Sequence, residues 1–377
     1  MKYRLADPMI DDHQIKMVED VLKSKMLVHG ASCETFEADI AAYLGLEKEQ
    51  VAVTSSCTAS LHLALLSLNI PKNKAIMVPS FTFPATVNVV EQIGATPIFV
   101  DVNEDDYTMS VDSLRNTYDS FKKDYDIVGI IVVHEFGASA DMNQIMAFAR
   151  GNGLFVIEDA ACAFGTEFEK SKVGLLSDIG CFSFHPRKAI TTGEGGAVVA
   201  NSKDLIKRCK IFRNHGMDMV DGHIDFVVPG LNYRLTNFQA VLGIGQLQHF
   251  DDWISKRRAL QLVYRAYLKH PMIHLPKDQE GHTWQSFMIV LEDRVNRDML
   301  KENLKLKEIE SNYGAYSLLE TQYYNEKYGN LYAEKTPIST KLYRQGLCLP
   351  LHQGLSEEDI ETICNEVLLC LEASYGY

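Results

Sequence analysis

Cys181-Phe182-Ser183-Phe184-His185-Pro186-Arg187-Lys188-Ala189-Ile190-Thr191-Thr192-Gly193-Glu194-Gly195-Gly196-Ala197-Val198-Val199 joins one apolar run to another through a polar, glycine-rich turn. The glycines invite comparison with a dinucleotide fingerprint, but that motif follows a strand and opens a helix. Here Gly195-Gly196 leads into the β-branched run Ala197-Val198-Val199-Ala200, so a strand follows instead. The stretch therefore reads as strand, loop, strand, with Lys188 inside the loop.

Outward from it, the same texture repeats. Val51 to Thr54, Ala75 to Val78, Thr96 to Val100, Val128 to Val133, Leu154 to Ile157, Ile179 to Phe184 and Ala197 to Ala200 are short apolar runs separated by amphipathic segments. That alternation predicts an α/β fold, a mostly parallel sheet between helices, with strands buried on both faces. The segment Cys57 to Leu68 follows the first strand directly and places Leu61, Leu65 and Leu68 on one helical face. Beyond Asn232-Tyr233-Arg234, Thr236 predicts the start of a long helix through Phe238, Val241, Leu242 and Leu247 toward Trp253. The texture then changes, so we divide the chain into a large domain, residues 1–248, and a smaller α+β domain, residues 249–377. The second holds a strand-like Trp284 to Leu291, a tyrosine-rich loop near Tyr323, Tyr324 and Tyr328, and a last helix capped by Ser356.

Length and composition agree. A chain of 377 residues, 46% hydrophobic and 23% charged, buries a large core and excludes disordered or fibrous classes. A formal charge of −13 argues against nucleic acid or an acidic membrane surface as partner, while leaving a small phosphorylated ligand possible. The eight cysteines show no CxxC spacing and mostly sit in apolar runs such as Leu347-Cys348-Leu349, so they read as reduced core residues. No apolar segment exceeds strand length and no export signal opens the chain, so the expected location is the cytoplasm.

Four features carry chemistry. Lys188, among hydrophobic neighbours, is placed to have its ammonium form disfavoured, freeing an amine for a Schiff base. Taken alone, a solvated surface lysine is favoured by roughly three to one. Asp159 ends the strand Val156-Ile157-Glu158-Asp159 before Ala160-Ala161, where it suits either a buried cation, such as a protonated pyridine nitrogen, or a helix N-cap. Thr54-Ser55-Ser56-Cys57-Thr58 sets hydroxyls and free amides at a helix start, suited to phosphate. Phe83, in Phe81-Thr82-Phe83-Pro84, is an aromatic able to cover a planar ring, though most such aromatics are core. A lysine, an acid, a phosphate cup and an aromatic lid in this order describe a pyridoxal phosphate site.

At these residues the chain resembles the fold type I pyridoxal phosphate-dependent sugar aminotransferases of the DegT/DnrJ/StrS family. The matching signatures are Gly30 to Glu37, Ser56-Cys57-Thr58-Ala59, Pro79 to Thr86, His134-Glu135-Phe136-Gly137, Asp159-Ala160-Ala161, Ser183 to Gly196, Arg213 to Gly216 and Asn232-Tyr233-Arg234. The resemblance implies that Lys188 holds the cofactor and moves the proton, Asp159 holds the pyridinium nitrogen and Phe83 stacks on the ring. By the same resemblance Cys57, Thr58 and Ser183 bind the phosphate, and Asn232 reaches the cofactor of a partner subunit in a homodimer with shared sites. His185, Arg234 and Tyr316 are the substrate-binding candidates it implies. Cys57 stands where the family usually has Gly. Cys162 stands where Gln or His usually touches the cofactor's phenolic oxygen, and a thiol donates only weakly there. A branch of the family that acts as dehydratases has His in place of Lys188. The implied reaction moves an amino group, from L-glutamate, to the keto group of a nucleotide-linked sugar. A cyclitol or keto sugar acid as acceptor, and a non-catalytic cofactor-binding homologue, remain open at this point.

Overall fold

The computed structural model describes residues 1–332 and 335–374. Seven strands form the central sheet: β1 (Val51–Thr54), β2 (Ala75–Pro79), β3 (Thr96–Val100), β4 (Ile127–Val133), β5 (Phe155–Asp159), β6 (Ile179–Ser183) and β7 (Gly196–Val199). All seven apolar runs become strands of this one sheet, in the order β1-β7-β6-β5-β4-β2-β3. Neighbours from β6 across to β3 pair in parallel, while β7 runs antiparallel to both β1 and β6. One reversed strand makes the sheet mixed and mostly parallel, and it places residues 184–195 on the rim where the other strands end. Register fixes that rim: Thr54 lies beside Gly196 and Gly196 beside Ser183, while Asp159 lies between Cys181 and Val133.

Period-two alternation sends side chains into two cores. Ala52, Ile131 and Ile157 join a cluster on one face, and Val51, Val53 and Phe182 join another with Phe36 and Ile40 of the helix Ala31–Leu44 on the opposite face. The helix Cys57–Ser67 is apolar nearly all round because helices and sheet enclose it. Its buried Ser60 hydroxyl is satisfied by Thr54 Oγ1 at 2.7 Å.

A third core belongs to a three-stranded antiparallel sheet, β8 (Ile273–His274), β9 (Phe287–Leu291) and β10 (Gly346–Leu349), covered by the helices Phe250–Tyr267, Arg297–Leu306 and Glu357–Glu372. Ser356 caps the last of these as expected, with a reciprocal bond from its own backbone to Asp359. The cores do not divide the chain at one point. Tyr3 packs into the C-terminal core, and Leu318, Tyr324 and Tyr332 pack into the first core.

Two local expectations are corrected. The long helix toward Trp253 is two helices, Asn237–Leu247 and Phe250–Tyr267, broken at Gln248 and His249. The tyrosine-rich segment is not a loop: Gln322–Tyr328 is helical, and the rings of Tyr324, Tyr328 and Tyr332 pack edge-on around Phe99. Each such aromatic pair contributes about 0.5–1.5 kcal/mol beyond burial, so tertiary contact overrides the polar look of the segment.

Candidate active site

Where the strands of the large sheet end, a cavity of about 330 Å³ opens between that rim and the C-terminal sheet. Its lining includes Cys57, Thr58, Phe83, Asp159, Cys162, Ser183, His185 and Lys188 from one side, and Gln285, Ser286, Asn312, Gly314 and Cys348 from the other. Residues distant in sequence meet here because β1 is followed by Cys57 and Thr58, β5 ends at Asp159 and is followed by Cys162, and β6 ends at Ser183 and is followed by His185 and Lys188.

The helix Cys57–Ser67 points its N-terminus at this space. Ser56 caps it by accepting from Ala59 N at 3.1 Å, which leaves the amides of Cys57 and Thr58 without partners inside the helix. The backbone of β7 passes so close beneath that a Cβ on Gly196 would stand 2.7 Å from Cys57 N and 2.6 Å from the Ser56 carbonyl carbon. The cup therefore depends on a bare glycine at the strand start. Ser183, paired in register with Gly196, brings its hydroxyl to the same place. Hydroxyls, two free amides and a helix N-terminus fit a phosphate.

Asp159 is buried at the end of β5. Its Oδ2 accepts from Thr86 Oγ1 at 2.7 Å and its Oδ1 from Ala161 N at 3.1 Å, with Cys57 Sγ at 4.0 Å. Among the described residues, no Lys, Arg or His nitrogen pairs with it in an ion pair. Burial is the largest influence on its carboxyl and raises its pKa above the ordinary value, against the two hydrogen bonds that favour the carboxylate. Rather than capping a helix, it is a buried acid lacking a counter-ion, and a protonated ring nitrogen supplies one.

Lys188 Nζ lies 3.0 Å from Cys162 Sγ. Here the structure corrects the expectation of a disfavoured ammonium. Burial, the largest single influence, does push the pKa down, but Cys162, Cys57 and Glu135 together outweigh it and the net direction is upward. Cys162 and Cys57 are themselves pushed above the ordinary thiol value by burial. Cys348 is a second correction, because it faces the cavity instead of serving only the core. Phe83 is no core aromatic either: it lines the cavity and is 56% exposed, free to lie against a planar ligand. His185 also lines the cavity, and burial lowers its pKa.

Three candidates lie elsewhere. Asn232 is exposed and bridges the backbone of Asn214, outside the cavity of its own chain. Arg234 donates to Asn214 Oδ1 at 2.7 Å, a contact that directs its guanidinium along the chain surface. Tyr316 pairs in register with Thr82 and packs edge-on to Phe83 at 6.3 Å, so it backs two lining residues without facing the cavity itself. Conversely, Thr86, Glu135, Arg187 and Gln285 line the cavity without having been assigned a role from sequence. Thr86 and Glu135 lie inside the matching signatures Pro79 to Thr86 and His134 to Gly137, but nothing local distinguishes an active-site Thr or Glu from one in an ordinary turn.

A lysine amine, a buried acid without a counter-ion, an anion cup and an exposed ring around one cavity define a site that fits pyridoxal 5′-phosphate. The fold that carries it is that of the aminotransferases built on a mixed seven-stranded sheet. Residues 8–368 match the DegT/DnrJ/EryC1/StrS aminotransferase family, and the chain belongs to it. It is a pyridoxal phosphate-dependent aminotransferase. Among curated proteins, the GDP-perosamine synthase of Escherichia coli O157:H7 is 37% identical over 320 residues, 84% of this chain and 85% of that one. The UDP-4-amino-4,6-dideoxy-N-acetyl-beta-L-altrosamine transaminase of Campylobacter jejuni is 30% identical over 96% of both chains. Among solved structures, Helicobacter pylori PseC, an aminotransferase involved in the biosynthesis of pseudoaminic acid, superposes with a TM-score of 0.90 at 26% identity, covering 98% of this chain and 99% of that one.

Proposed function

We propose that this aminotransferase moves an amino group from L-glutamate to the keto group of a nucleotide-linked deoxysugar, in a route to a surface polysaccharide or glycoconjugate. The observation that carries the reading is the convergence of Lys188, Asp159, Phe83 and the Cys57 helix start on one cavity, in a chain whose full-length relatives act on GDP- and UDP-linked sugars by name. When bound, the cofactor supplies the electron sink for breaking a bond to hydrogen at carbon. The rest falls to the chain. Lys188 anchors the ligand and then, as a free amine, carries the proton between carbons. Asp159 keeps a proton on the ring nitrogen, with Thr86 fixing the carboxylate's direction. The amides of Cys57 and Thr58, with Ser183, hold the phosphate, and Phe83 covers one face of the ring. Cys162 accepts from the amine itself, and sulfur is so weak an acceptor that it restrains the amine little.

The working unit in this reading is a cytoplasmic homodimer. Met219, Ile224, Phe226 and Val227 on and beside the hairpin Met217–Phe226, and Ile15, Leu22, Met26 and Val28 near the N-terminus, are exposed apolar side chains suited to an interface. Asn232, exposed in its own chain, is available to a partner's phosphate, and Arg234 and His185 to the substrate.

Absorption spectroscopy of the purified protein tests the reading. The lysine-linked cofactor band should bleach with L-glutamate, borohydride should fix the label on Lys188, and GDP- or UDP-linked keto sugars should restore the band. A label on another lysine, or a band that no keto sugar restores, would overturn the assignment.

A further inference from the structure

Glu135 has no task in the scheme above, yet it is among the most unusual residues of the cavity. It is 5% exposed, lines the same space as Lys188, and no side chain among the described residues hydrogen-bonds to its carboxyl. The amide of Phe136 is its hydrogen-bonding partner.

Its position is built with care. The turn Glu135–Gly137 follows β4 and holds Phe136 at φ +53°, a left-handed conformation that costs a residue with a Cβ about 1–3 kcal/mol. Three hydrogen bonds and a close approach at Gly137 hold the strained turn in place. His134 Nδ1 accepts from Ala140 N at 3.2 Å, so its Nε2 donates to Glu158 Oε2 at 2.9 Å. Gln285 N donates to the Phe136 carbonyl at 2.9 Å, tying the turn to the C-terminal domain. Gly137, at φ +98°, lies where a Cβ would stand 2.6 Å from Thr283 Oγ1. A strained, pinned turn that aims an acid into a reaction cavity calls for a chemical reason.

The groups facing Glu135 set its charge. Burial dominates, the Lys188 charge opposes it, Asp159 adds to it, and the result is a carboxyl pushed up to about 8. Cys162 and Cys348 lie within its field on the cavity side. Behind the turn, a narrow cleft brings Asp105, Asp106, Lys277 and His282 near. At neutral pH Glu135 therefore carries its proton, whereas Asp159 is reserved for the ring nitrogen. Two titratable groups with different environments around one substrate divide acid and base work.

We propose that Glu135 is the acid of this active site, lending the proton on which the acceptor's carbonyl oxygen leaves as water, while Lys188 handles the protons on carbon. The inference rests on the aminotransferase reading. In the step concerned, a C–N double bond replaces the C–O double bond. The amine nitrogen sheds two protons and the oxygen departs with them as water. Glu135 gives one proton to the oxygen and recovers one from the nitrogen, so the carboxyl ends as it began and no electrons change hands. Run backward, the same group assists the addition of water that frees the keto acid made from the donor.

Separating carbon chemistry from oxygen chemistry tests this. In deuterated water, Glu135→Gln should still exchange the α-hydrogen of L-glutamate within about twofold of the unaltered enzyme, while release of the keto acid falls about 10²-fold, the scale of one general acid. Glu135→Asp should recover part of that loss, and Lys188→Ala should lose both reactions. Independently, infrared titration of the cofactor-free protein should reveal a protonated carboxyl at neutral pH that is missing in Glu135→Gln and titrates higher in Lys188→Ala. Equal loss of exchange and release, loss of neither, or no such carboxyl at neutral pH overturns the proposal. An unaltered enzyme that exchanges no α-hydrogen at all would instead strike the aminotransferase reading, and this proposal with it.

Discussion

Lys188, half-buried, and Arg257, fully buried, are both cations that pair with no carboxylate among the described residues, and they are treated in opposite ways. Arg257, on the helix Phe250–Tyr267, is saturated: its guanidinium donates to Gln353 Oε1 at 3.1 and 2.9 Å and to the carbonyls of Leu351, Trp284 and Gln285 at 3.0, 3.2 and 3.2 Å. Burial alone still lowers its pKa to about 10. Lys188 has one soft contact, the Cys162 sulfur, and open space beside it. A buried charge whose hydrogen-bonding capacity is met by backbone oxygens holds structure together. One left with a thiol and a cavity is held ready for a ligand, and so is its neighbour Asp159.

The contrast can be broken by substitution. Lys188→Ala should reduce turnover by about 10⁴-fold or more, the upper range for a lost proton-transfer group, while leaving the unfolding midpoint in urea nearly unchanged. Stopped-flow spectra with L-glutamate and a denaturation curve measure the two halves. Arg257→Leu should do the reverse, destabilising the chain by about 3 kcal/mol through acceptors left unsatisfied, with cofactor spectra normal in the folded fraction. If the arginine variant is as stable as the parent, or the lysine variant unfolds readily, the distinction collapses.

Smaller effects sharpen it. Asp159→Asn should cost about 10²-fold in turnover, roughly one charged hydrogen bond, and weaken cofactor retention on dialysis. Cys162→Ala removes the neighbour that, by charge and hydrogen bond, does most to raise the Lys188 pKa. A lower pKa leaves more neutral amine at pH values below it. Capture of pyridoxal phosphate by the cofactor-free variant should thus be faster at neutral pH, by about two- to fivefold, and equal to the parent at high pH, where both amines are neutral.

How much of this was legible in sequence depended on range. The seven strands were readable because near-continuous apolar runs need only local patterning. Lys188, Asp159, Ser183, Thr58 and Phe83 fell into one cavity because strand ends share a rim. Glu135 could not be read, since the chain beside it looks like a surface turn. It shares its cavity wall with Gln285, Gly314 and Cys348, which are contributed from far along the sequence. The partner of Arg234 was equally out of reach, as its hydrogen bond to Asn214 is made twenty residues away in sequence. The helix through Phe238 broke at His249 without a proline or glycine to announce it.

The reversed strand β7 has a consequence for what the chain tolerates. A parallel connection would have carried residues 184–195 across the sheet to start again at the far edge, with a helix as part of the span. Because β7 turns straight back, both ends of the lysine segment are fastened at the same rim, on adjacent strands about 5 Å apart. Added or deleted residues between Arg187 and Gly193 would change the reach of Lys188 and at the same time drag Ala189 and Ile190 out of the core behind it. The length of that segment is therefore fixed from both sides, by the cavity in front and the packing at its back.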